Sequence, residues 1–170
     1  MAYKLKNNTN IKAIIVVPQS FISKSFGKTR LLFDGYHVDW DNNNHCMSSS
    51  TSKVKDLVNF MKQCHFGKDI RERVIITTHM ALAKTFEYIS DIENIFENTT
   101  LVIDEAHHVL YHSERGKDKT NKTTNQLGNI VNHLIESNIK TSALWLVTAT
   151  PFRGDKACII PEDVLKRRSE

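Results

Sequence analysis

Two neighbouring carboxylates stand at the end of a short apolar run: Leu101-Val102-Ile103 leads directly into Asp104-Glu105-Ala106-His107. A run of this kind reads as a strand buried on both faces of a parallel sheet. The ends of such strands open onto the crevice where α/β proteins bind their ligands. Acids in that position suit phosphoryl transfer from a nucleotide to water. The reaction needs the phosphates cradled, a magnesium ion held and a water oriented in line. On this reading Asp104 holds the magnesium, through water, and Glu105 polarises the attacking water.

The positioning elements follow from the pattern of apolar residues. Three more β-branched runs, Ala13 to Val17, Val74 to Thr78 and Leu144 to Thr148, read as further buried parallel strands, with Trp145 as a core residue. Two helices are expected between them. In one, Val54, Leu57, Val58, Met61 and Cys64 share a face behind N-cap candidates in Ser48 to Ser52. In the other, Leu127, Ile130, Val131, Leu134 and Ile135 do so. Weaker helices are expected after His79 and after Glu105. Leu31 to Val38 reads as a hairpin turning at Asp34-Gly35, inserted at the sheet edge. The fold class is therefore α/β: a parallel sheet with flanking helices in three layers and a small β-hairpin insertion.

Length and composition agree with one domain. The chain has 170 residues, 40% of them hydrophobic and 25% charged, which suffices for a single core. No apolar run approaches the ~20 residues of a membrane span, and the start lacks a signal peptide's apolar core. A cytoplasmic protein without membrane contact is expected. Cys46, Cys64 and Cys158 make no disulfide framework. A net charge of +4 permits a polyanionic partner without demanding one. His108 and His112 lie four apart, but no third ligand stands at a recognised spacing, so zinc is disfavoured. The polar segment 113–126, with Lys117, Lys119 and Lys122, reads as a mobile solvated loop. Phe33, Tyr36 and Trp40 could stack on bases, although cover for the sheet edge is the better account.

The second acid-flanking landmark is Thr148-Ala149-Thr150-Pro151-Phe152-Arg153, some forty residues after Asp104. Together, Asp104-Glu105-Ala106-His107 and Thr148-Ala149-Thr150 resemble motifs II and III of the superfamily 2 helicases, the DEAD/DEAH group. Ala13 to Gln19 resembles motif Ia, and Val74 to His79 resembles the strand and turn of motif Ib, in the family's order. The resemblance covers residues 11 to 155. It implies the first RecA-like, ATP-binding domain of a helicase or translocase that uses ATP and magnesium. It further implies Asp104 as the magnesium residue, Asp104 and Glu105 as the catalytic acids, and His107, Thr148 and Thr150 as the coupling residues. Pro18, Gln19, Thr78 and His79 become nucleic-acid contacts. Thr-Ala-Thr-Pro followed by Phe-Arg resembles the restriction-enzyme and excision-repair branch, which favours DNA over RNA.

The chain departs from that family at one decisive point. The phosphate-binding loop, Gly-x-x-x-x-Gly-Lys-Thr, should precede motif Ia, yet only twelve residues precede Ala13 and none is glycine. Gly27-Lys28-Thr29 supplies the loop's last letters, but its first glycine position holds Ile22. A surface turn accounts for it better. The sequence thus reads as a single partial RecA-like domain spanning 1–170. Segment 156–170 would lead toward a second motor domain, which a separately encoded partner could supply. A phosphate-loop strand missing from the sheet should leave a central gap or an exposed apolar edge. The chain alone should bind ATP weakly. Its alternative function is that of a non-catalytic nucleic-acid-binding or regulatory module with a degenerate motor fold.

Overall fold

The computed structural model describes residues 5, 7, 8, 10–18, 28–33, 36–41, 45, 46, 50–63, 70–89, 95–108, 126–136 and 143–149. The Asp34-Gly35 turn, Gln19, Thr150, most of the 113–126 segment and the 156–170 tail lie outside them.

Among the described residues, five parallel strands form the main sheet. They are β1 (Lys12–Val17), β4 (His45–Cys46), β5 (Val74–Thr78), β6 (Thr99–Ile103) and β7 (Ala143–Leu146), in the order β4-β5-β1-β6-β7. The sheet and its helices make an α/β fold consistent with a RecA-like domain. The apolar run of β1 occupies the centre, and all six of its residues are buried. β2 (Lys28–Phe33) and β3 (Tyr36–Asp41) form the expected hairpin. It is a separate two-stranded sheet, not an edge of the main one. Its register pairs Lys28 with Asp41 and Arg30 with Asp39.

Registration sorts the side chains into rows. Ile75, Ile14, Leu101 and Leu144 stand abreast on one face, as do Thr77, Val16, Ile103 and Leu146. Against this face pack helices α1 (Thr51–Lys62), α2 (His79–Thr85) and α3 (Gln126–Glu136), in a core that includes Leu57, Met61, Leu82, Phe96, Ile130 and Leu134. Ser50 is the N-cap residue of α1, but its side chain makes no cap hydrogen bond. The expected face of α1 is buried at Val54, Leu57, Val58 and Met61, and Cys64 lies outside the described residues. After Glu105 the described chain makes a 3-10 turn, Ala106–His108, and the residues that follow, where a helix is expected, lie outside the described ones. No helix among the described residues is long and apolar enough to cross a membrane.

The opposite face corrects one expectation. Along the row Ile76, Ile15, Val102 and Trp145, burial decays from 0% and 2% exposed, through a half-buried Val102, to Trp145 at 46%. Trp145 is therefore not a core residue. Among the described residues β7 is the last strand of the sheet, and its Leu144 and Leu146 side packs against the core. There is also no central gap, because β6 and β7 pair directly.

Two buried cations tie the far end of the sheet. The Arg73 guanidinium, 1% exposed, donates to the carbonyls of Asn8 (2.8 Å), Ile11 (3.2 Å) and Leu5 (2.7 Å). Lys12, 4% exposed, donates its ammonium to the carbonyls of Met61 and Gln63, where α1 ends. A cation at a helix C-terminus meets carbonyls that lack intrahelical partners, and the helix dipole favours it.

Candidate functional site

A parallel sheet aligns the carboxyl ends of its strands along one edge, and the candidate residues collect there. Pro18 follows β1, His79 follows β5, Asp104 and Glu105 follow β6, and Thr148 lies just past β7. Pro18, His79, Asp104, Glu105, His107 and Thr148 are all partly exposed.

The acid turn is pinned from three sides. The Asp104 amide donates to the Val16 carbonyl at 2.8 Å, joining the turn to the central strand. The Val147 amide donates to the Ile103 carbonyl and the Ala106 amide to the Val147 carbonyl, each at 2.9 Å, joining it to the end of β7. His79 Nε2 lies 2.9 Å from the Asp104 carbonyl oxygen. A carbonyl only accepts, so Nε2 carries the hydrogen and donates it. β1 separates β5 from β6, so this contact arches over the end of the central strand. Nothing in the sequence pattern announces it, because the two residues are 25 apart on non-adjacent strands.

Within the turn, Asp104 Oδ1 accepts the Glu105 amide at 3.0 Å. Glu105 adopts φ 51°, the left-handed region that costs an L-residue with a Cβ about 1–2 kcal/mol. The turn thereby holds both acids at the carboxyl edge of the sheet.

His107 joins the acid to the neighbouring strand. Its Nδ1 lies 3.0 Å from Glu105 Oε2 and 3.2 Å from Thr148 Oγ1. A hydrogen on Nδ1 satisfies both oxygens as a shared donor, whereas a bare Nδ1 would face the carboxylate lone pair to lone pair. The Nδ1–H tautomer is therefore favoured. Glu105 and His107 are 39% and 31% exposed, so the pair adds little stability, while the contact sets the orientation of the carboxylate.

Thr78 is buried, and its hydroxyl caps α2 by accepting the Ala81 amide at 3.2 Å. The other expected coupling and nucleic-acid residues, Thr150 and Gln19, lie outside the described residues, as do His112, Cys64 and Cys158.

The His107–Thr148 contact can be tested in the isolated chain. A double-mutant cycle of His107→Ala and Thr148→Val, read by urea unfolding, should give a coupling of about 0.5–1.5 kcal/mol. Strict additivity of the two losses would show that the residues do not interact in solution.

What the arrangement can do chemically is hold a hydrated dication and direct a water. The donors are carboxylate oxygens, which suit magnesium, and their partial exposure suits an ion that keeps several of its own waters. Asp104 therefore fits a hydrated magnesium ion, with the Glu105 carboxylate beside it placed to direct a water.

Comparison with known proteins gives one similarity. Over 164 residues, 94% of its length, the chain is 32% identical to a Bacillus subtilis (strain 168) protein named "Putative ATP-dependent helicase YeeB". The chain spans 24% of that relative's length. No protein-family model matches it, and no solved structure matches it significantly. The similarity supports a helicase-like relationship.

Proposed function

We propose that the chain is part of an ATP-dependent nucleic-acid motor, a helicase or translocase of superfamily 2, acting on DNA in preference to RNA. The observation that carries this reading is the acid turn at the end of β6, linked through His107 to Thr148 at the end of β7. The helicase-like relative supports it.

Asp104 is the residue that would hold magnesium, the ion that neutralises phosphate charge in such reactions. Glu105 accepts a proton from the attacking water as general base, and the His107 contact holds its carboxylate in one orientation. His107 also carries any displacement of the acid turn to Thr148, with Thr150 two residues further on as a second coupling residue. Nucleic acid runs past Pro18, Gln19, Thr78 and His79. His79 thus joins the nucleic-acid path to the Asp104 carbonyl in a single contact.

The sequence holds no Gly-x-x-x-x-Gly-Lys-Thr, so in a working motor a phosphate cradle of that kind would have to come from polypeptide outside it. Each charge-assisted hydrogen bond of such a cradle contributes ~1.5–3 kcal/mol, and losing several weakens ATP binding by orders of magnitude. The chain alone is expected to hydrolyse ATP no faster than buffer, with or without DNA. Magnesium-dependent turnover that vanishes on Glu105→Gln would contradict this expectation. A chimera tests the function directly. The Bacillus relative, with its matched stretch replaced by this chain, should show DNA-stimulated ATP hydrolysis. The missing loop equally favours a non-catalytic nucleic-acid-binding or regulatory module. A chimera that binds DNA but never hydrolyses ATP, beside an active parent, would decide for that reading.

A further inference from the structure

The geometry points to His79 as the positioning residue of the acid pair. It donates to the Asp104 carbonyl in place of a hydrogen that Pro18 lacks, and so holds the Asp104–Glu105 peptide in its strained orientation. The inference rests on the roles proposed for Asp104 and Glu105.

The need for such a donor arises in the ladder between β1 and β6. Their register runs from Lys12 opposite Thr99 to Val16 opposite Ile103, so Val17 and Asp104 stand at the next step. In a parallel ladder a residue donates to the position before its partner and accepts from the position after it. Asp104 makes the first of these bonds, from its amide to the Val16 carbonyl at 2.8 Å. The second would come from residue 18, which is proline and has no N–H. A main-chain carbonyl shielded from water is costly to leave unpaired. His79 Nε2, 2.9 Å from the Asp104 carbonyl oxygen, supplies the hydrogen that the ladder does not.

The same bond holds one end of a peptide plane. The Asp104 carbonyl and the Glu105 amide belong to a single planar unit. At one end the carbonyl accepts from His79, and at the other the amide donates to Asp104 Oδ1 at 3.0 Å. The φ of Glu105, 51°, is the rotation that follows this plane. A flip of the plane would carry Glu105 to negative φ and relieve the strain. The bonds from the Val147 amide to Ile103 and from the Ala106 amide to Val147 need not break, because a flip is confined to the rotations on either side of the peptide. Strain at Glu105 therefore favours the flipped plane, and the bond from His79 opposes it. A flip would take the Glu105 amide off Asp104 Oδ1, which frees the Asp104 carboxylate, and would tilt the Cα–Cβ bond of Glu105. Both acids lose their aim together.

The 170-residue chain tests the contact without any catalysis. Positive φ brings an amide hydrogen close to its own Hα, so Glu105 should give a strong intraresidue nuclear Overhauser effect. His79→Leu should lower that signal at least twofold while circular dichroism shows the fold retained, since Thr78 still caps α2. His79→Gln, whose side-chain amide donates as Nε2 does, should restore it. His79→Leu should also lower Tm by about 2–4 °C, the shift for one lost hydrogen bond in a domain of this size. The loss should be less than half as large when Pro18→Ala supplies the ladder N–H. In the helicase chimera at saturating DNA, His79→Leu should lower kcat about 10-fold or more through misplacement of the acids, with KM for ATP within twofold. His79→Gln should recover most of that rate. An unchanged Overhauser signal in His79→Leu would overturn the inference, as would equal Tm losses with and without Pro18→Ala. Turnover insensitive to Glu105→Gln would remove the proposed chemistry instead, and the Overhauser signal tells the two failures apart.

Discussion

Glu105→Gln is expected to lower ATP turnover of the helicase chimera by about 10²–10⁴-fold, the usual contribution of a positioned general base. Nucleotide binding should change little, because glutamine keeps the shape and loses only the basicity. The contact with His107 should survive in weaker form, since an amide oxygen still accepts from Nδ1–H. Single-turnover measurements separate the two quantities. A variant that retains turnover within threefold of the parent would remove Glu105 from the proposed catalytic role. The same position carries a stability signature in the isolated chain. At φ 51° glycine has no Cβ penalty, so Glu105→Gly should stabilise the fold by about 1 kcal/mol. That corresponds to about 2–4 °C in Tm for a domain of this size. Gain of stability with loss of turnover would mark strain retained for function.

Arg73→Met should destabilise the chain by about 3–5 kcal/mol, a large share of the ~5–15 kcal/mol available to a domain. Methionine fills much of the volume and removes the desolvation cost of a buried cation, which by itself would be a gain. The loss arises because only one side of the network is replaced. The carbonyls of Leu5, Asn8 and Ile11 would lose charge-assisted donors worth ~1.5–3 kcal/mol each, and they add less than fully. Leu5 and Ile11, both buried, would lose the contact that docks their stretch. Arg73→Lys keeps the charge but lacks the fork, so it should fall between wild type and Arg73→Met. Urea unfolding measures both variants. A cost below ~1 kcal/mol for Arg73→Met would mean that water reaches those carbonyls and the staple is dispensable.

The strands were legible because each buried run is apolar for its own local reason. Ala13 to Val17 and Val74 to Thr78 match β1 and β5 within one residue. The run leading into Asp104 identified β6, which starts two residues earlier at Thr99 and ends at Ile103, with Asp104 already in the turn. Helices α1 and α3 were readable from the spacing of Val54, Leu57, Val58 and Met61, and of Leu127, Ile130, Val131 and Leu134. β4 was not readable, because His45-Cys46 is too short to carry a pattern and exists only through its pairing with β5. Within the candidate site, the adjacency of Asp104 and Glu105 is covalent and therefore visible. Their proximity to Thr148, 41 residues beyond His107, was anticipated from the resemblance alone.

The order of residues by itself determined the α/β class, the acid pair at a strand end and the lack of a phosphate loop. Those are local properties, set by what each short segment contains. The tertiary structure decided that Trp145 stands half in solvent, that Arg73 and Lys12 are buried, and that His79 reaches the Asp104 carbonyl. Burial and contact at these positions depend on which strand or loop lies alongside. The same tryptophan on a central strand such as β1 would be core, and on β7, the last strand among the described residues, it is half exposed.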